Sequence, residues 1–368
     1  MKLTALRIAE CRVPLPREIR LGDTRITTRD FVCLRLETDT GIQGEALGYV
    51  RGTPLFAVLE GLAARLAGAD DIEMRNALMV AIQNSNQPGR AALSRAYSLF
   101  DIALWDVMAK TAALPLFQIL GGFRRSVGAT AVAGYYLDQR TIDDVADEVA
   151  RLRDAGYERV KIMLRGYDPA FDRAMIERVT ATAPGRLAVD AHWSWRDLNT
   201  ARRDCLGLDD FGLEFVEDPF STVDVDLVAG LRRTIRTPVA AGEDIHGTRV
   251  MRNLATEVDV LRVDATTCGG ITAAVEAIHH ADGAGRTVFP HVFLPLHLHL
   301  AAAFPGIEGV EMIPEESGAD PIEKLLRRPM PIRDGIAHVD EEPGVGIALD
   351  WEAVERFASR SATVTSET

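Results

Sequence analysis

TIDDVADEVARLRDAGYERVKIML, residues 141–164, is one complete helix-then-strand unit and sets the register for the middle of the chain. Thr141 is placed to cap the helix N-terminus, and Asp143 and Asp144 in the first turn complement its positive end. Ile142, Val145, Val149 and Leu152 recur at helical spacing and form one apolar face, and Gly156 stops the helix. The period then changes to two. Val160, Ile162 and Leu164 fall on one side of a strand, and Lys161 and Met163 on the other. With the apolar trio against helices, Lys161 and Met163 point into the middle of a barrel.

Further units of this size succeed it, and each strand runs out into a polar residue that a buried strand does not need. Leu187–Val189 ends at Asp190, Phe215–Val216 at Glu217, and Val239–Ala241 leads through Gly242 to Glu243. Val260–Val263 ends at Asp264, Val288–Pro290 at His291, and Ile307–Val310 leads to Glu311. The steps between these six positions are 27, 26, 21, 27 and 20 residues, one strand-loop-helix-loop unit each. Polar residues recurring at the C-terminal ends of successive parallel strands describe the catalytic face of a (β/α) barrel. A lone buried acid is commonly a structural ion pair, whereas five acids and a histidine in one register call for chemistry.

The region before residue 125 has a different texture. Residues 30–37 alternate as a strand, Gly41 to Gly44 form a turn, and helical spacing governs Leu55–Leu66 and Ser94–Lys110. The stretch Arg17–Arg29 carries Arg17, Arg20, Arg25 and Arg29. It reads as a solvated loop, with a lid that offers a cation to an anionic substrate as the alternative. The expected division is an α+β capping domain over 1–124, completed by 333–368, and a barrel over 125–332. The last residues, Ser359–Thr368, are polar and poor in apolar anchors, so they are expected to be disordered.

Bulk properties narrow the function. A net charge of −13 argues against non-specific nucleic-acid binding. The four cysteines, Cys11, Cys33, Cys205 and Cys268, form neither a CxxC pair nor a disulfide framework, which fits a reducing cytoplasm. No apolar run approaches the roughly 20 residues of a membrane span, so no membrane association is expected.

Asp190, Glu217 and Glu243 come from adjacent strand ends and offer an all-oxygen site of charge −3, suited to a hard cation such as Mg²⁺. A cation beside a substrate carboxylate stabilises the charge that develops when the α-proton leaves. Asp264 and His291 sit on the next two strands. A carboxylate beside an imidazole orients the ring and raises its basicity, as a general base requires. His297 and His299 lie nearby, and strand order selects His291 over them. Glu311 can donate to a substrate oxygen if burial raises its pKa. Trp193 and Trp195 are candidates to flank the mouth and stack on substrate.

These elements resemble the mandelate racemase branch of the enolase superfamily over essentially the whole chain. The segment FDIALWDVMAKTAALPLFQILGG (100–122) resembles the family's link between capping domain and barrel. VDAHWSW, FVEDP, AAGED, VDATTCGGIT and PHVFLPLHLHLAAAFPGIEGVE then come in family order. The resemblance implies a modified (β/α)₇β barrel, Mg²⁺ on Asp190, Glu217 and Glu243, an Asp264–His291 base, and a homo-oligomer, dimeric or octameric. It also implies that Lys161 helps hold the substrate carboxylate.

Two departures carry information. Racemases of the family resemble one another in a Lys-x-Lys pair, which here reads Lys161-Ile162-Met163, so a second base is missing from that wall. Asp190-Ala191-His192 instead resembles the galactonate and mannonate dehydratases, in which that histidine acts as an acid on the leaving hydroxyl. The expected reaction is therefore dehydration of an acid sugar to a 2-keto-3-deoxy acid, with His192 or His291 protonating the leaving group. The alternatives are a racemase or epimerase using His192 and His291 as opposed bases, a lysine-based cycloisomerase, and a non-catalytic binding scaffold.

Overall fold

In the computed structural model, residues 1–21, 24–73, 75–83, 90–221 and 223–365 are described. The N-terminal unit opens with three strands, β1 (Leu3–Leu21), β2 (Thr24–Thr38) and β3 (Gln43–Tyr49), followed by helices α1 (Leu55–Leu66), α2 (Arg75–Gln83) and α3 (Arg90–Thr111). Eight parallel strands come next: β4 (Ser126–Ala133), β5 (Arg159–Met163), β6 (Arg186–Asp190), β7 (Val216–Glu217), β8 (Val239–Ala241), β9 (Val260–Val263), β10 (Thr287–Pro290) and β11 (Val310–Met312). Each of the first seven is followed by a helix. β11 pairs with β4, and Ile307 bridges to Val288 of β10, which closes the barrel. This is a modified (β/α)₇β barrel under an α+β cap.

Local sequence accounts for the first helical unit closely. The helix runs Ile142–Asp154, and Thr141 and Asp144 form a reciprocal capping box: Asp144 N donates to Thr141 Oγ1 at 3.2 Å, and Thr141 N donates to Asp144 Oδ2 at 2.7 Å. Such a cap is worth about 1 kcal/mol. Val145, Val149 and Leu152 are buried, and β5 buries Val160 and Ile162 against the helical layer while Lys161 and Met163 face the interior.

The Arg17–Arg29 segment is not a loop. Its described residues extend β1 and β2 into a long hairpin, with Ile19 opposite Ile26 and Leu21 opposite Thr24. The pairing of strand backbones, rather than an apolar pattern, holds this arm together. It docks on the loop after β4, where the Arg17 guanidinium lies 4.5 Å from the Tyr136 ring centroid and Gln139 Nε2 donates to Glu18 O at 3.0 Å. The residues between the two strands, and the side chain of Arg20, lie outside the described set.

The C-terminal segment divides. Strands β12 (Ile332–Arg333) and β13 (Ile336–His338) form a hairpin that pairs with β4 of the barrel, whereas β14 (Ala358–Thr365) pairs antiparallel with β1. The polar tail expected to be disordered is thus a strand through Thr365, anchored by backbone pairing and by the Arg360–Glu10 ion pair at 2.5 Å. Its approach is fixed by buried Glu45, which accepts from Leu349 N at 2.9 Å and Trp351 Nε1 at 2.7 Å.

Helix α3 ties the cap to the barrel mouth. Ser94 Oγ donates to Thr267 O at 2.6 Å, Ser98 Oγ accepts from Gly269 N at 2.9 Å, and Arg95 pairs with Asp244 at 2.5 Å. One helix therefore braces the loops after both β8 and β9. Among the described residues, no helix is long and apolar enough to cross a membrane.

Candidate active site

The strand ends bring Lys161, Asp190, Glu217, Glu243, Asp264, His291 and Glu311 to the same end of the barrel, and all seven are buried. Lys161, Asp190, Glu243, His291 and Glu311 line a narrow cleft of about 50 Å³, and Glu217 and Asp264 lie behind them. The barrel contributes Met163, His192 and His291 to its walls, and the cap contributes Ile19, Arg29 and Tyr49.

Asp264 and His291 meet as their strand positions require, with Asp264 Oδ2 2.9 Å from His291 Nδ1. Asp264 Oδ1 accepts from both Thr266 N and Thr266 Oγ1 at 2.7 Å. Burial works against the carboxylate charge, but His291, His297 and Thr266 outweigh it and lower its pKa to about 2. An ionised carboxylate only accepts, so the proton of neutral His291 sits on Nδ1 and Nε2 keeps its lone pair. Nε2 lies 3.4 Å from Glu243 Oε2.

The other two histidines have structural partners. His297 Nε2 accepts from Ala265 N at 3.0 Å and its Nδ1 lies 2.6 Å from Val292 O, while His299 Nδ1 accepts from Phe117 N at 3.3 Å.

Lys161 Nζ gathers three carboxylates: Glu217 at 2.6 Å, Glu311 at 2.7 Å and Asp190 at 3.3 Å. Burial alone would discharge the amine, but these three acids outweigh it and hold its pKa well above the ordinary lysine value. A second buried cation, Arg262, is one that the sequence reading does not single out. Its Nε donates to Glu217 Oε1 at 2.7 Å, and its outer nitrogens reach Glu311 Oε2 at 2.6 Å and the carbonyls of Phe289 and Pro290 at 3.0 and 3.1 Å. The signal is present: Arg262 lies two residues before Asp264, on the same face of β9.

Glu311 departs from expectation. Burial raises its pKa, yet Arg262 and Lys161 outweigh that and bring it below the ordinary value. It is an ionised acceptor, not a protonated donor.

Asp190, Glu217 and Glu243 do not converge on one point in this arrangement, and among the described residues no three metal-binding side chains do. Both Glu217 oxygens face cations. The charge balance nevertheless fits a divalent ion. Glu243 is buried with Oε2 lacking a hydrogen-bond partner, and its nearest cations, Arg51 and Arg262, are each 3.9 Å away. Burial, Glu217 and Asp218 push its pKa well above the carboxylate range. Neighbouring Asp218 is raised likewise by burial, Glu217 and Asp190, and its Oδ1 is also unpartnered. Hard oxygen donors with surplus negative charge are what Mg²⁺ neutralises.

On the opposite wall, Met163 lines the cleft beside His192. The His192 ring stacks on Trp193 with centroids 5.1 Å apart, and both residues have positive φ, 42° and 61°. This tight turn is held by His192 N donating to Asp190 Oδ1 at 2.9 Å. Burial lowers the His192 pKa despite Asp190, so the ring rests neutral at neutral pH. Trp193 is 39% exposed, but Trp195 is buried with Nε1 donating to Asp204 Oδ2 at 3.0 Å, so it packs rather than flanking the mouth.

Residues 4–121 match the family model for the mandelate racemase/muconate lactonizing enzyme N-terminal domain, and residues 144–354 match the model described as enolase C-terminal domain-like. The chain is 28% identical over 339 residues to the L-talarate/galactarate dehydratase of Salmonella typhimurium, covering 89% of this chain and 82% of that protein. It is 30% identical to the D-galactarolactone cycloisomerase of Agrobacterium fabrum, covering 97% and 99% respectively. The structure of an L-talarate dehydratase from Polaromonas sp. JS666, complexed with Mg and L-glucarate, matches with a TM-score of 0.85 at 29% identity over 99% of both chains.

Proposed function

Because the chain belongs to the mandelate racemase/muconate lactonizing enzyme family of the enolase superfamily, we propose that it is a Mg²⁺-dependent acid-sugar dehydratase using His291 as its base. The observation that carries this reading is the contrast between an oriented Asp264–His291 pair on one wall and a methionine, Met163, on the other. Dehydration needs one competent base; racemisation needs one on each side of the α-carbon.

Asp190, Glu217 and Glu243 would hold the Mg²⁺. Bound there, it supplies positive charge to the substrate carboxylate as the α-carbon gives up its proton. His291 Nε2 takes the C2 proton, and the C–H electron pair forms the enediolate. Lys161, kept charged by its acidic neighbours, donates to a carboxylate oxygen. The electron pair then returns to form the C2–C3 double bond as the C3–O bond breaks. The departing hydroxyl takes a proton from the His291 imidazolium and leaves as water. The sequence gives His192 a share in this role, but a neutral ring is a weak acid, so its part is to hydrogen-bond the hydroxyl. The enol tautomerises to the 2-keto-3-deoxy acid.

The test is a panel of acid sugars incubated with the protein and Mg²⁺, with α-keto acid detected as its semicarbazone. Product from one or a few acids, abolished by EDTA, is the expected result. No keto acid from any of them would overturn the dehydratase reading.

A further inference from the structure

Arg262 is a buried cation to which the proton-transfer scheme gives no task. It is fully buried on β9, one inward-facing position below Asp264, and lies behind the cleft rather than in its lining. Its bonds reach three other strands. Nε donates to Glu217 Oε1 of β7 at 2.7 Å, and the outer nitrogens donate to Glu311 Oε2 of β11 at 2.6 Å and to the carbonyls of Phe289 and Pro290 of β10 at 3.0 and 3.1 Å.

Lys161, the other cation on Glu217, is held differently. Its Nζ donates to Glu217 Oε2 at 2.6 Å, but it also has Glu311 at 2.7 Å, and its charge sits at the end of a flexible stem. It can release Oε2 to an arriving metal ion and keep Glu311. The planar Arg262 fork cannot release Oε1 without also turning away from Glu311 and both carbonyls. Glu217 is thereby left with one oxygen to offer. Asp190 is restricted in the same way, because its Oδ1 accepts from His192 N at 2.9 Å. Of the three carboxylates, Glu243 keeps an oxygen, Oε2, that has no hydrogen bond.

Oxygen count separates the two common hard cations. Ca²⁺ gathers roughly six to eight oxygens and takes carboxylates through both of theirs, whereas Mg²⁺ requires a small, near-ideal octahedron. Building on the assignment of Asp190, Glu217 and Glu243 as metal ligands, we propose that Arg262 sets the metal selectivity of the site. By withholding Glu217 Oε1 it makes Glu217 a one-oxygen ligand and turns the site toward Mg²⁺ and away from Ca²⁺.

The experiment titrates the metal-free protein with Mg²⁺ and, separately, with Ca²⁺ by calorimetry. The parent is expected to bind Mg²⁺ about tenfold or more tightly than Ca²⁺. In Arg262→Met that ratio should fall to one or below. Loss of a buried positive charge raises the affinity for both ions, so a purely electrostatic or structural role leaves the ratio unmoved, and only a freed second oxygen shifts it. If Arg262→Met fails to fold by circular dichroism, Arg262→Met combined with Glu311→Gln, which removes one positive and one negative charge together, provides the reading. Ca²⁺ bound as tightly as Mg²⁺ by the parent, or a ratio unchanged in the folded variant, overturns the role of Arg262. Glu243→Gln separates this from the metal assignment itself. Mg²⁺ binding lost in Glu243→Gln but with an unchanged ratio at Arg262 sinks the selectivity proposal alone, whereas Mg²⁺ binding unaffected by Glu243→Gln overturns the ligand assignment and the proposal with it.

Discussion

On one wall of the cleft, Asp264 and His291 stand on the adjacent strands β9 and β10, 2.9 Å apart, with Asp264 further fixed by Thr266. Directly across the eight-stranded barrel, β5 and β6 present Met163, which cannot carry a proton, and His192, which stacks on Trp193 in a turn of positive φ. The first wall is wired to move a proton, whereas the second is shaped to position a substrate. Two walls that differ this much favour chemistry that begins and ends on one side of the substrate.

The sharpest way to break this contrast is His291→Asn, which keeps the size of the side chain and removes its basicity. Turnover should fall by about 10⁴-fold, at the upper end for general acid–base catalysis, while Mg²⁺ binding followed by calorimetry is retained. Residual turnover within tenfold of the parent would mean that another group is the base.

Asp264→Asn comes next. It keeps a hydrogen bond to Nδ1 but lets the ring adopt the wrong tautomer, and kcat should drop by about 10²- to 10³-fold. The same variant reports on stability. The folded pKa of Asp264, about 2, lies below its ordinary value of 3.8, so its ionised form stabilises the fold above about pH 4. That contribution is lost as the pH falls toward 2. Acid unfolding of the parent should show this dependence, and Asp264→Asn should lack the part due to this residue.

His192→Asn probes the other wall and should cost only about tenfold in dehydration, since a neutral ring positions rather than donates. A loss as large as that of His291→Asn, with α-proton exchange preserved, would restore His192 as the acid on the leaving group.

These expectations rest on positions that are unevenly legible in the sequence. Successive strand ends mark the barrel and gather Lys161, Asp190, Glu217, Glu243, Asp264, His291 and Glu311, because period-two alternation says which residues face inward. The same rule covers Arg262, yet an arginine inside a strand reads as surface until its two glutamate partners, 45 and 49 residues away, are brought beside it. The ionisation of Glu311 is misjudged from sequence for that reason: burial is legible, but the cations beside it are not.

The arm carrying Arg29 and the terminal strand β14 are hidden differently. Both are held by backbone hydrogen bonds to β1, which polar sequences make as well as apolar ones.

The smallest effect on chemistry is expected where the walls meet the cap. Gly270 has φ +93°, and a Cβ there would collide with the Asp101 carboxylate, which accepts from Thr272 N at 2.9 Å. Gly270→Ala should destabilise the fold by about 2–4 kcal/mol, read as a lower unfolding midpoint, with near-normal turnover where it remains folded. A variant of parental stability would show that α3 does not brace the β9 loop as tightly as the contact implies.

The most direct test of one-sided proton transfer is turnover of a reactive acid sugar in D₂O. It is followed by the C2 configuration of the recovered substrate and by α-keto acid formed. The expected result is a 2-keto-3-deoxy acid, with unconsumed substrate that keeps its C2 configuration even where deuterium has entered. Recovered substrate inverted at C2, with little or no keto acid, would contradict it and show that the Met163–His192 wall moves protons after all.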